Sequence, residues 1–249
     1  MKTIHSSADS QQENRNTSKI RIRGELALCF IAAWNSFSVY LMLYSKGGIS
    51  AISSVPYILS EVLPTLSLGV WTYAFQTSLI APLVFWRLKR KERKKAGLYL
   101  FSFLIGGAFS FMMDVHALWI NRLPQPLILC VIYFIVSFFC LAFGIALSNH
   151  CRMPIIPTDL FPRELSLLFN QPYKVIKTIF DVSCLLVTVT LSLGFLHKIL
   201  GIGIGTVLCA FSMGKVIAMM GSWLDKRFYF VSFLDTDRAE ELVSDTPSN

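Results

Sequence analysis

Residues 127–148 decide the fold class of this chain; they read LILCVIYFIVSFFCLAFGIALS and contain no charged side chain. An α-helix needs about 20 apolar residues to cross the roughly 30 Å hydrocarbon core of a lipid bilayer. Because lipid offers no hydrogen bonds, a segment inside it must pair its own backbone groups, as a helix does. The stretch therefore predicts a transmembrane α-helix.

The rest of the chain repeats this pattern and predicts an all-α, polytopic transmembrane bundle. Of the 249 residues, 54% are hydrophobic and 15% are charged, whereas soluble domains carry roughly 25% charged residues. We expect one transmembrane domain, residues 25–225, between polar cytoplasmic tails at residues 1–24 and 226–249. The six predicted spans are Leu26–Tyr44, Leu66–Trp86, Ala96–Val115, Leu127–Ser148, Val175–Leu196 and Leu200–Leu224.

The basic residues predict how these spans are oriented. The net charge is +8, and the lysines and arginines lie mostly at the ends of apolar blocks, which indicates a topology signal and not a nucleic-acid partner. The densest cluster occupies residues 87–95, between the second and third spans. Cytoplasmic loops carry an excess of Lys and Arg, so this link and both termini are predicted to lie inside the cell.

Two short motifs predict an internal repeat. Pro56-Tyr57-Ile58-Leu59-Ser60 matches Pro162-Arg163-Glu164-Leu165-Ser166, and Thr72 falls opposite Thr178 in the same register. Each half, about 26–115 and 127–224, would hold three spans, and an odd number of spans gives the two halves opposite orientations. Inverted repeats are typical of secondary transporters, which bind their solute where the halves meet.

The proline-containing segments 45–65 and 149–173 link spans within the two halves. Their prolines divide both segments into runs that are too short to cross a bilayer as full helices. Two interpretations are open for them: broken or re-entrant backbone that contributes to a binding site, or an ordinary interfacial loop that contains a short helix.

Ionisable residues inside apolar sequence are the candidate site, because a charge at the bilayer centre costs about 2.5–3.5 kcal/mol on insertion scales. Lys177 and Asp181 are four residues apart, so they share a helix face and can pair, which could serve only to orient the fifth span. Lys215, deep in the sixth span, could attract an anion or pair with Asp181, or its long side chain could snorkel to the interface. The remaining candidates are Asp114 and His116, which close the third span and could be a wetted helix end, and Asp159, Arg163 and Glu164 in the proline-rich link.

No motif indicates an enzyme, a cofactor or a metal site. Residues 201–206, GIGIGT, resemble a phosphate-binding glycine run, but no strand precedes them, and close helix packing explains them better. The six cysteines lack the paired spacing of a metal site. We therefore expect a non-enzymatic protein with no cofactor.

Several motifs resemble the YczE/YyaS/YitT group of bacterial membrane proteins, over about residues 25–225. In the first half these are residues 52–60 and 66–72, with Asp114-Val115-His116 at its end. In the second half they are residues 157–166, 180–182 and 203–206. Some branches of the group have charged residues where this chain has Gly203 and Ile204, so a site formed by those charges is not expected here. The resemblance implies a multi-pass protein of the bacterial inner membrane and supplies no substrate or reaction.

These observations favour two functions for a protein embedded in the lipid bilayer. The first is a small secondary transporter or permease for a small polar or anionic solute, with Lys215 attracting the solute and Asp181 or Asp114 carrying a coupling proton. The second is a non-transporting regulator or assembly partner of another membrane protein, with the basic link at 87–95 and the acidic tail as docking surfaces. Homodimer formation is compatible with both.

Overall fold

The computed structural model describes residues 20–91, 93–150 and 156–231, which form a bundle of eight α-helices between two short strands. Of the predicted tails, residues 1–19 and 232–249 lie outside the described residues, whereas residues 20–23 form the first strand. The elements are β1 (Ile20–Arg23), α1 (Gly24–Tyr44), α2 (Ala51–Val62), α3 (Leu68–Lys89), α4 (Arg93–Ile120), α5 (Leu127–His150), α6 (Pro157–Leu168), α7 (Tyr173–Leu191, continued by a π-helical turn at Ser192–Leu196), α8 (Ile204–Arg227) and β2 (Phe228–Val231).

The helix lengths identify a helical membrane protein. Helices α3, α4, α5 and α8, together with α7 and its π-helical turn, are long and apolar enough to cross a bilayer. Helix α1 has 21 residues and coincides with the first predicted span, and its part Phe30–Tyr44 is apolar. The six predicted spans thus correspond to six long helices.

Two predicted helix ends are wrong. Helix α4 continues through Asp114 and His116 to Ile120, because apolar residues such as Leu118 and Trp119 extend the helical sequence. Asp114 and His116 therefore lie within the helix and not at a wetted end. Helix α8 begins only at Ile204, so the glycines at 201 and 203 precede it in a loop.

The order of long and short helices is the same in both halves, as the predicted repeat requires. Each half consists of a long helix, a 12-residue helix and two further long helices. The short helices α2 and α6 carry Pro56 and Pro162 at the same place, the sixth residue. Twelve residues rise about 18 Å, too little to cross the hydrocarbon core.

Each short helix packs against the opposite half of the molecule. Helix α2 contacts α7, and α6 contacts α3. Within the halves, α1 contacts α4, and the equivalent helices α5 and α8 contact each other. The hydroxyls of Ser54 on α2 and Thr188 on α7 share a buried hydrogen bond of 2.8 Å. The short helices of segments 45–65 and 149–173 therefore pack between the halves, which agrees with the broken-segment interpretation.

The two ends of the bundle lie on the same side. Strands β1 and β2 form a parallel pair in which Ile20 is opposite Phe228 and Arg23 is opposite Val231. Because β1 leads directly into α1 and β2 follows α8 directly, the pair brings the start of the first helix next to the end of the last. This arrangement agrees with the six predicted spans, because a chain that crosses the bilayer an even number of times ends on the side on which it began.

The loop before α2 approaches the start of α8 so closely that only glycine fits. The Gly205 N–H donates to the carbonyl oxygen of Gly47 at 3.0 Å, and the Ile49 N–H donates to the Thr206 hydroxyl at 2.9 Å. A β-carbon on Gly203 would overlap that same Gly47 carbonyl. This contact fixes the entry to the first short helix against the second half.

Candidate functional site

All eight helices contribute side chains to one cavity between the two halves. Asn35, near the middle of α1, is part of its wall, so the cavity lies at the centre of the bundle. The cavity volume open to water is about 40 Å³, which is enough for a few water molecules.

Most of the lining residues come in pairs that the repeat relates. Ser53 and Asp159, for example, are 106 positions apart and occupy the same place on α2 and α6. The same spacing separates the prolines of the two short helices. A cavity lined by equivalent positions of both halves lies on the axis that relates them. The six pairs are Asn35 and Leu141, Val39 and Ile145, Ser50 and Ile156, Ile52 and Thr158, Ser53 and Asp159, and Phe75 and Asp181.

The charges of the cavity all come from the second half. Asp159 stands where the first half has Ser53, and Asp181 stands where it has Phe75. Lys177 is the third charged residue of the wall. The two halves therefore place equivalent backbone positions at the cavity, but only the second half places charged side chains there.

Lys177 and Asp181 form the ion pair that their spacing predicts. One helical turn separates them on α7, and the Lys177 ammonium donates to Asp181 Oδ1 at 2.7 Å. The two residues are only 4% and 3% exposed. A buried charge must be compensated, and this pair compensates itself.

Asp159 lies in the same wall without a partner of its own. It belongs to the first turn of α6, where the positive end of the helix dipole favours a carboxylate. Among the described residues none donates a hydrogen bond to it. Helix α6 does not cross the bilayer, and burial raises the pKa of the Asp159 carboxyl to about 6, with Lys177 opposing the shift and Asp181 adding to it. The proton affinity of this group therefore lies close to physiological pH.

Asn35 is a second buried polar group that faces the cavity without a partner. It is 2% exposed, and neither its amide nitrogen nor its amide oxygen has a hydrogen-bond partner within the described part of the chain. Gly144 on α5 makes room for it, since a β-carbon there would overlap the amide oxygen of Asn35. Leaving a buried amide unpaired costs free energy.

Glu164 lies apart from the cavity and fastens α6 to the end of α3. Its carboxylate accepts from the Arg87 guanidinium at 2.8 Å, and both side chains are largely buried, at 13% and 14% exposure. The Nε of Arg87 also donates to the Tyr99 hydroxyl of α4 at 3.1 Å. Arg87 begins the basic link at residues 87–95, so this cluster lies at the end of the bundle that carries the link.

Asp114 and His116 serve contacts between helices and do not line the cavity. The Asp114 carboxylate accepts from the Ser67 hydroxyl at 2.6 Å and from the Gly69 N–H at 2.9 Å, which holds the start of α3. His116 accepts from the Trp119 indole N–H at Nδ1, so its Nε2 carries the proton that points to the Ala33 carbonyl, 3.2 Å away.

The two remaining candidates also lie outside the cavity wall. Arg163 is half-buried on α6, next to Glu164. Lys215 is exposed on the outer face of α8, while its neighbours Met213 and Gly214 are buried. The expectation that Lys215 pairs with Asp181 is wrong, because Lys177 occupies that place and α8 turns its lysine away from the bundle.

Sequence reasoning missed Asn35 and the partner of Glu164. Asn35 carries no charge, so a search for ionisable residues passes over it, although an amide in the middle of an apolar span is itself costly. Arg87 was assigned to the topology signal alone. As for metals, no group of three His, Cys, Asp or Glu side chains is placed to hold an ion in the described ranges.

Comparison with known proteins gives one match. The model of a family described as "Family of unknown function (DUF6198)" matches residues 22–222. No curated protein matches the chain. No solved structure matches it either. The match does not connect the chain with the YczE/YyaS/YitT group, and that resemblance stays a prediction.

Proposed function

Because the chain belongs to this DUF6198 family, whose function is unknown, we propose a function from the site itself: a non-enzymatic permease that carries a small polar solute through the central cavity. In this proposal the Asp159 carboxylate exchanges a proton for the solute. The membrane is the bacterial inner membrane, with both termini in the cytoplasm.

The observation that carries the proposal is the lining of the cavity by equivalent positions of the two halves. Transporters built from inverted repeats bind their solute at the interface of the repeats, next to interrupted helices. Here the short helices α2 and α6 each bring a proline-containing segment to that interface. Rocking of one half against the other would open the cavity to each side in turn.

Two contacts are suited to closing the two ends of this path. The Arg87–Glu164 pair ties α6 to α3 at the predicted cytoplasmic end. The glycine contact between Gly47 and Gly205 closes the loop before α2 against α8. Breaking one contact while keeping the other is the kind of two-state change that alternating access needs.

The charges of the wall favour a cationic or zwitterionic solute over an anionic one. Lys177 is already neutralised by Asp181, and Lys215, which the sequence offered as an anion site, points away from the cavity. Asp159 leaves one negative charge uncompensated. An anionic solute would meet that charge without a free cation to balance it.

The test is flux in proteoliposomes that contain a pH-sensitive dye. Small cations, zwitterions and anions are each imposed as a gradient, and at least one class should move protons faster than in protein-free vesicles. Asp159→Asn should abolish the response. The matched control is Glu61→Gln, which neutralises an exposed carboxylate on the other short helix and should keep it. If no class of solute moves above the protein-free background, the transport proposal fails.

The outward-facing Lys215 favours the second candidate function, a membrane partner of another protein. A cation facing lipid in the middle of a helix is costly, and a carboxylate on a partner's span would relieve that cost. In that case Lys215→Ala would release a co-purifying membrane protein, whereas Asp159→Asn would not.

A further inference from the structure

The cavity has the chemistry of a cation site. Two of its three charged groups, Lys177 and Asp181, cancel each other across 2.7 Å. The Asp159 carboxylate is the uncompensated charge, and it is 5% exposed. A buried carboxylate is stabilised by a proton or by a cation, so a ligand that binds Asp159 in its ionised state carries a positive charge.

The neutral part of the wall specifies hydrogen-bond donors on that ligand. Asn35 belongs to the same wall, and its amide oxygen is buried against Gly144 without a partner, so that a rotation of the side chain would offer it to a donor in the cavity. Carboxylate and amide oxygens together suit N–H donors that carry charge.

The volume of the cavity and its aromatic lining further limit the class of solute that it suits. The cavity volume open to water is about 40 Å³, which suits a small solute. Phe75 and Phe109 form part of the lining, and aromatic faces attract weakly hydrated organic cations. Mg²⁺ and Ca²⁺ prefer six or more oxygen ligands, usually with several carboxylates, whereas only one carboxylate of this wall is free of the Lys177 ion pair.

From these observations, and resting on the proposed transport function, we infer that the solute is ammonium or a small primary ammonium cation such as methylammonium, bound between Asp159 and Asn35. The cation and a proton compete for the same carboxylate. Each inward or outward passage then exchanges one cation for one proton, so that the charge of the site is the same with either occupant.

The direct experiment is equilibrium binding of radiolabelled methylammonium to the purified full chain in detergent, which does not depend on transport. Unlabelled ammonium should displace the label, and acetate and glycine should not. Sodium is included as the other monovalent cation; displacement by sodium at equal or lower concentration than by ammonium would assign the site to a metal ion and overturn the inference.

Two variants locate the site. Asp159→Asn and Asn35→Leu should each weaken binding about 10- to 100-fold, as expected for the loss of a hydrogen bond involving a charged group. Lys215→Ala, on the outer face of α8, should bind as the unchanged protein does. Unaltered affinity in Asp159→Asn would overturn the inference, and displacement by unlabelled solute in the unchanged protein tests it even if a variant fails to fold.

The pH dependence gives a further readout. Lys177, Asp181 and Tyr173 are the other titratable groups that interact with Asp159. With a pKa near 6 for Asp159, lowering the pH from 7.5 to 5 should protonate the carboxylate and weaken methylammonium binding about tenfold. Stronger binding at pH 5 would contradict proton competition.

The outcomes separate this inference from the function on which it rests. Flux of acetate or glycine in proteoliposomes without methylammonium binding leaves a permease and removes the ammonium assignment. Methylammonium binding without any flux keeps the site and removes transport.

Discussion

Removal of the Lys177 charge is the perturbation whose effect the structure defines best. Lys177→Met keeps the length and apolar stem of the side chain but leaves the Asp181 carboxylate, 3% exposed, without its partner at 2.7 Å. Asp159 faces the same cavity, so the variant would hold two carboxylates in one small space with no cation.

Breaking a buried ion pair by removing one partner costs about 3–5 kcal/mol, because the other charge is left uncompensated. Replacing both partners by apolar residues avoids that cost, so Lys177→Met combined with Asp181→Leu should lie within about 2 kcal/mol of the unchanged protein. Asp181→Asn alone should cost less than Lys177→Met, since Lys177 still has the Asp159 carboxylate in the same wall. We therefore expect Lys177→Met to lose the most stability of the three variants, and more than Asp181→Asn or the double variant.

The free energy of unfolding can be measured by titration with SDS in mixed micelles. Lys174→Met is the matched control, because this lysine is exposed one turn earlier on the same helix, and its loss should change stability by no more than about 0.5 kcal/mol. The deficit of Lys177→Met should shrink as the pH falls, because protonation removes the uncompensated negative charge in the folded state.

A result in which the double variant is as unstable as Lys177→Met would refute this reasoning, because the cost would then come from lost packing and not from an unpaired charge. A Lys177→Met deficit that does not depend on pH would contradict it as well.

Three further predictions concern other parts of the molecule. Gly144→Val should displace the Asn35 amide, because a β-carbon at this position would overlap it. The affinity for methylammonium should fall about tenfold or more, while size-exclusion chromatography shows a folded protein. Unchanged affinity would show that Asn35 does not belong to the site. Glu164→Gln should weaken the bond to Arg87 and lower the free energy of unfolding by about 1–3 kcal/mol. The amide hydrogens of α6 should then exchange faster, because this end of the helix is no longer held. Equal exchange rates would show that the pair does not fasten the helix. Lys215→Ala should leave proteoliposome flux intact because its side chain faces outwards, and a loss of flux would return it to the pathway.

The membrane-spanning architecture could be predicted from the sequence because it depends on a property of single segments. The charge-free stretch at 127–148 has to be a helix in lipid wherever its neighbours lie. The Lys177–Asp181 pair could be predicted for the same reason, since a spacing of four residues fixes two side chains on one face of a helix before any tertiary contact forms. The repeat was readable from the motifs around Pro56 and Pro162, which the structure places at the same position of two short helices.

Which face of a helix looks inwards is a tertiary property, and there the sequence alone was insufficient. In α8 apolar residues surround the whole helix, so nothing in the pattern showed that Lys215 points out while Met213 points in. The contribution of Asn35 depended on Gly144 of another helix, which leaves space for the amide beside the cavity. Only tertiary packing brought Asp159 next to the ion pair, through the contact of α6 with α7 within the second half. The meeting of the two halves then placed Asn35 of α1 in the same cavity wall, because residues distant in sequence meet only when the helices assemble.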